Sequence, residues 1–294
     1  MKYFSNIFTL STLVVILCNA CVFNPNPIPV EIEEVPQKIV ISSFAFPPQE
    51  LALTVTRTFS ALLGEDSVNI DDTEIADKVL VDSALVIIRY AGRTDTLINL
   101  FPALFGSINV EQIPNEKYSL YVKDYKTGES VTAETTLLPF VRMDTIYSVS
   151  EIVPFLDDTL YSIKYKFTDL VGTENYYLVT YSNLKDVSGG FASLGQNVFK
   201  FNDAKFNVFT DQNYGDGNPI EFRPNLALSS PGDTLVVGLS NITKGYYNFL
   251  SAYKRSGNLL SQIVAEPITL PTNIEGGYGY FAMIKPSLRL VIIR

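Results

Sequence analysis

The sequence predicts an all-β protein of two packed β-sandwich-like domains, the first immunoglobulin-like and the second carrying one amphipathic helix. Three observations lead there. Short runs rich in Val, Ile, Thr, Tyr and Phe recur along the chain, separated by Gly, Pro, Asn and Asp. The chain has 294 residues, 47% hydrophobic and 12% aromatic, enough to fill two modest cores. Helical spacing occurs in one stretch only.

The N-terminus comes first. Lys2 supplies a basic start, and Ile7 to Leu17 is apolar but too short to span a bilayer, which predicts a cleaved signal peptide over residues 1–20. Cys18-Asn19-Ala20-Cys21 then places a small residue before a cysteine, as a lipobox does, although Cys18 stands where such a motif usually has Leu. Cys21 is therefore the expected lipidation site and the first residue of the mature chain. Both cysteines lie here, so the mature domains can form no internal disulfide. The proline-spaced stretch Val22-Phe23-Asn24-Pro25-Asn26-Pro27-Ile28-Pro29-Val30 cannot continue a helix, and residues 21–36 are expected to form an extended tether.

Strands of the first domain, residues 37–139, are predicted at Lys38–Phe46, Leu51–Phe59, Ala84–Tyr90, Thr94–Leu100, Tyr118–Asp124 and Ser130–Leu137, spaced as in a sandwich of immunoglobulin size. Tyr90-Ala91-Gly92-Arg93 and the stretch Asp124 to Glu129 read as hairpin turns. The second domain, residues 140–294, begins with Phe140 to Tyr147 and alternates clearly through Leu160–Phe167. Further strands are expected at Asn175–Tyr181, Val198–Phe201, Ile220–Phe222, Thr234–Leu239, Leu259–Ile263 and Leu288–Ile293. From Ile242, apolar residues recur at Tyr246, Phe249, Leu250 and Tyr253, predicting a helix near 242–255 with Asn241 as its cap and Gly257 as its stop.

Composition excludes several function classes. A net charge of −9 offers nucleic acid no electrostatic footprint. Histidine is absent, and with it the commonest general base, the imidazole metal ligands and every triad built on His. Walker-type glycine loops and GxSxG elbows are missing too. No cofactor is expected.

Three patterns could carry chemistry. Asp211, Asn213 and Asp216 lie in a glycine-containing stretch that offers oxygen ligands as calcium loops do. However, Gly215 stands where a ligand belongs and no Glu closes the loop, so an inter-strand connection is the expectation. Asp71-Asp72 and Asp157-Asp158 pair carboxylates in turn-like segments, which supports a surface-anchored hydrolase only as an alternative. The triplet Asp-Ser/Thr-apolar recurs and resembles the O-glycosylation acceptor of exported Bacteroidota proteins, marking Thr96, Thr145, Thr159 and Thr234. The structural reading is that Asp closes a turn and Thr opens a strand.

The lipobox, the strand Lys38 to Phe44, the Pro231-Gly232-Asp233-Thr234 strand opening, the helix and the closing stretch Asn273-Ile274-Glu275-Gly276-Gly277-Tyr278-Gly279-Tyr280-Phe281 together resemble an uncharacterised family of Bacteroidota outer-membrane lipoproteins, domain of unknown function 4249. The likeness covers the mature chain. Members are commonly encoded beside TonB-dependent receptors, so the resemblance implies such a β-barrel as partner and supplies no catalytic residue. The closing glycines are expected to serve structure, with Tyr278 and Tyr280 as candidate ligand contacts. A non-enzymatic accessory anchored to the outer membrane is the resulting expectation.

Overall fold

The structure, a computed structural model, describes residues 36–46, 50–58, 78–153, 158–172, 174–184, 205–223, 231–256 and 269–294. Cys21, the leader, most of the tether and the predicted strands Val198–Phe201 and Leu259–Ile263 lie outside these residues. Residues from Pro36 onward form one compact unit.

The first sheet system contains β1 (Ile39–Phe46), β2 (Glu50–Arg57), β3 (Ala84–Tyr90), β4 (Arg93–Phe101), β5 (Leu104–Ser107), β6 (Lys117–Asp124) and β7 (Ser130–Thr136). Alternation of side chains explains their burial: in β6 and β7 every second residue is buried, which is what a strand with one face on a core requires. Ala91 and Gly92 both adopt positive φ, 45° and 72°, as a two-residue hairpin turn between twisted strands demands. β4 changes sheets partway along. It pairs with β3 through Arg93–Leu97 and then with β5, with a register irregularity between Asn99 and Phe101.

Ile41, Leu53, Val55, Val86, Ile88, Leu120 and Val122 fill the space between the layers. Tyr90 and Tyr118 stack there with ring centroids 5.1 Å apart. The Tyr118 hydroxyl donates to the Glu111 carbonyl at 2.7 Å and accepts the Ile113 N–H at 2.8 Å. A tyrosine near the start of its strand that reaches back to the preceding loop is a tyrosine corner, a hallmark of immunoglobulin-like sandwiches.

The second sandwich packs a three-stranded sheet against a four-stranded one. The first is β12-β9-β8 and the second β11-β10-β13-β16, with β8 at Met143–Val153, β9 at Asp158–Thr168, β10 at Tyr176–Asn183, β11 at Lys205–Thr210, β12 at Pro219–Phe222, β13 at Thr234–Ile242 and β16 at Ser287–Ile292. Tyr165, Phe167, Tyr177, Val179, Val237 and Leu239 form its core. Helix α1 (Lys244–Ser256) lays Tyr246 and Leu250 against Tyr176, Leu178 and Ile242 on the outer face of the four-stranded sheet. It begins two residues later than the periodicity suggests. β13 continues through Ile242, so Asn241 is a buried strand residue, and the Thr243 hydroxyl accepts the Tyr246 N–H at 3.3 Å in the capping role expected of Asn241.

The closing stretch, read from sequence as part of the second unit, joins the first sheet at both of its edges. β14 (Ile274–Glu275) pairs with β7 and β15 (Tyr278–Tyr280) runs parallel to β1, giving the order β14-β7-β6-β3-β4-β5-β2-β1-β15. The chain then alternates between two cores. Phe281 and Met283 enter the first, whereas Tyr280, Ala282 and Ile284 pack with helix α1. The glycines belong to this structure. Gly279 has φ +88°, and a Cβ there would penetrate the Ile41 carbonyl.

Candidate functional site

Three connections meet at one end of the second sandwich: Asp169–Asn175 between β9 and β10, Asp211–Asn218 between β11 and β12, and the entry to α1. The Thr210 hydroxyl accepts the Gln212 N–H at 3.3 Å and starts a single 3-10 turn over Asp211–Asn213. Gly215 and Gly217 follow with φ of 82° and 71°, and the Asn218 amide closes the loop on the Tyr214 carbonyl at 3.0 Å. A shallow depression of about 360 Å³ opens between Gly172, Glu174, Asp211, Gln212, Gly215 and Asp216.

The carboxylates of this corner brace loops. Asp211, only 6% exposed, accepts the Asn175 N–H at 2.8 Å, and the Asn175 side chain donates to the Leu170 carbonyl at 2.7 Å. Asp216 accepts the Gly172 N–H at 2.8 Å. Buried Asp169 takes the Gly217 N–H at 2.9 Å and the Tyr177 hydroxyl. The buried Asn175 N–H needs such a partner, and the other carboxylates hold the part-buried Gly217 and exposed Gly172 N–H groups of the neighbouring loops. At the rim, Gln212 donates to Glu174 and Lys244 Nζ lies 3.5 Å from the same carboxylate. Asp211 and Asp216 both line the depression and Asn213 is exposed beside it, yet among the described residues no three His, Cys, Asp or Glu side chains form a group able to hold a metal ion.

The two candidate tyrosines part company. Tyr278 is 54% exposed on β15, whereas Tyr280 is 8% exposed beneath α1, with its ring 5.2 Å from that of Tyr246 and 5.3 Å from that of Phe249. Burial pushes the Tyr280 phenol pKa upward against a hydrogen bond with Thr243. Its hydroxyl also explains Gly245, since a Cβ in that first helical turn would collide with it. Helix packing leaves Tyr278 alone at the surface, so the pair makes no aromatic platform.

Thr96 and Thr145 are exposed, whereas Thr159 and Thr234 are half-buried. Of the preceding aspartates, Asp95 accepts the Tyr90 hydroxyl at 2.8 Å and Asp144 the Thr168 hydroxyl at 3.1 Å. Asp71, Asp72 and Asp157 lie outside the described residues, and Asp158 opens β9. Sequence reading passed over Asp169, Asn175 and Glu174. They sit in an ordinary polar loop, and only its meeting with the Asp211 loop reveals their use.

Residues 25–287 match the model of the family described as Domain of unknown function (DUF4249). The chain belongs to the DUF4249 family. The match runs from within the proline-rich segment to the first residue of β16, so every strand from β1 to β15 and α1 of this DUF4249 chain fall inside it. No curated protein matches the DUF4249 chain. Among solved structures, the FN1-FN3 domains of chicken CNTN1 align at 11% identity with a TM-score of 0.25, covering 69% of this chain and 60% of that one. The DUF4249 chain thus spans 60% of that structure's length. The chicken interferon gamma receptor alpha chain aligns at 10% identity with a TM-score of 0.19, covering 71% of this chain and 90% of its own.

Proposed function

We propose that this DUF4249 chain is a non-enzymatic lipoprotein of the bacterial outer membrane that serves as accessory or ligand-capture partner of a TonB-dependent β-barrel receptor. The observation that carries this reading is Cys18-Asn19-Ala20-Cys21 followed at once by a proline-spaced tether and then by a compact fold from Pro36 onward. Such an order suits a binding module held at, but clear of, a membrane surface. The corner carboxylates support the same reading: Asp169, Asp211 and Asp216 accept loop N–H groups, an employment that suits scaffolding better than acid–base chemistry.

A tagged chain is purified in mild detergent from its native outer membranes and its partners identified by mass spectrometry. A stoichiometric TonB-dependent barrel is expected, together with incorporation of an alkynyl palmitate that Cys21→Ala abolishes. Recovery of the chain alone, with hydrolysis of a glycan or peptide panel, would replace this reading with that of a surface-anchored hydrolase.

A further inference from the structure

Residues 273–284 are shared by the two sandwiches. Among the described residues no strand from β1 to β7 pairs with one from β8 to β13 or with β16, so the strand ladders by themselves leave the halves separate. The closing stretch crosses between them. Without β14 and β15 the first sheet would end in two open edges, β7 and β1, and Thr132–Ala133 and Val40–Ser42 would lose their partners there.

The same segment completes two clusters of buried side chains. Ile274, Phe281 and Met283 join Ile39, Ile41 and Val131 in the first core, while Tyr280, Ala282 and Ile284 join the cluster that seats α1 on the second sandwich. From Tyr280 to Ile284 successive side chains go to alternate clusters, so withdrawing one set withdraws the other. Asn273 holds the segment in shape. Its side-chain amide donates to the Glu134 carbonyl at 2.9 Å and to the Phe281 carbonyl at 2.8 Å, and its Oδ1 accepts the Phe281 N–H at 2.9 Å. The next N–H, of Ala282, donates to the buried Ser43 hydroxyl at 3.1 Å across 239 positions of sequence.

We propose that residues 273–284 act as a clasp that makes the two sandwiches one folding unit: the first core stays incomplete until this segment docks, and opening either sandwich opens the other. Two domains joined by a short connection ordinarily open separately, and the N-terminal one ordinarily folds first. Here the first sandwich waits for residues that follow most of the second in the chain. Contacts so distant in sequence also make the closure slow.

The test is native-state hydrogen exchange of the full chain, as wild type and as Phe281→Ala, which removes a side chain from the first core only. Amides of β3 and β6 in the first sandwich and of β10 and β13 in the second should exchange through one common opening. Phe281→Ala should raise that opening about a hundredfold or more, equally in both sets. Phe281→Leu should raise it by a smaller but again equal factor, which keeps the comparison usable where the alanine variant does not fold. A flexible Gly/Ser insertion between Pro139 and Phe140 should leave the common opening intact. Faster exchange confined to β3 and β6 in either Phe281 variant would overturn the clasp, as would wild-type amides of one sandwich opening while those of the other stay protected. Loss of the common rate on insertion would assign the coupling to the connection between β7 and β8, and would overturn it as well.

Discussion

Arg57 Nη2 stands 2.6 Å from Asp124 Oδ2, and both side chains are almost fully shut off from water. The pair joins the end of β2 to the turn after β6, and each group makes further hydrogen bonds. Arg57 also donates to the Leu80 carbonyl at 2.9 Å, while Asp124 accepts the Lys126 N–H at 2.8 Å and the Thr127 hydroxyl at 3.1 Å. Removing one partner strands the other charge in the interior. Arg57→Leu is expected to cost about 3–5 kcal/mol in urea unfolding at neutral pH. A loss below about 1 kcal/mol would mean that water reaches the pair in solution.

The same pair sets an acid response. Burial pushes the Asp124 carboxyl upward, but the Lys126 N–H and Arg57 outweigh it and hold the group below its ordinary range. A depressed folded pKa contributes stability that is complete above the unfolded value of about 3.9 and is lost as pH falls through the folded one. The stability difference between the wild-type chain and Asp124→Asn should therefore be large at neutral pH and shrink in strong acid. A difference that stayed constant from neutral to strongly acidic pH would contradict the linkage.

Tyr118→Phe keeps the ring stacked on Tyr90 but leaves the Ile113 N–H without its acceptor. A destabilisation of about 1–3 kcal/mol with an unchanged fold is expected from denaturant titration and circular dichroism. A neutral variant would show that solvent satisfies the loop.

Gly279 and Gly92 separate crowding from backbone strain. Both have positive φ, +88° and +72°, but a Cβ at Gly92 meets nothing within 4 Å whereas one at Gly279 runs into the Ile41 backbone. Gly92→Ala should cost about 1–2 kcal/mol, the left-handed penalty alone. Gly279→Ala should cost clearly more, because β15 cannot stay on β1, and comparative melting of the two variants reads the difference.

Asp211→Ala removes the acceptor of the buried Asn175 N–H. We expect about 1–3 kcal/mol of lost stability, equal in EGTA and in millimolar calcium. Calcium raising the melting temperature of the wild-type chain but not of this variant would instead make the corner a cation site.

Much of the fold is legible because strand alternation is a local property. Leu160–Phe167 was readable from Tyr161, Ile163, Tyr165 and Phe167, and lies within β9; the apolar recurrence at Tyr246, Phe249 and Leu250 likewise marks α1. β5, at Leu104–Ser107, escaped because it is short and contains Gly106, whose close packing on Leu100 and the Leu51 carbonyl leaves no local trace. The outer half of β8, past Tyr147, escaped because Ser148 and Ser150 occupy the positions that continue its apolar face.

By itself the sequence determined the periods, the turns and the glycine-rich character of the closing stretch. Only the tertiary structure decided that Ile274–Tyr280 meets Ile39–Ser42 on one side and Thr132–Ala133 on the other, that Tyr280 is buried while Tyr278 is free, and that Asp211 serves Asn175. Those outcomes depend on strand order and register between segments far apart in the chain. Period-two patterning says which face of a strand is buried, but not which strand will cover it.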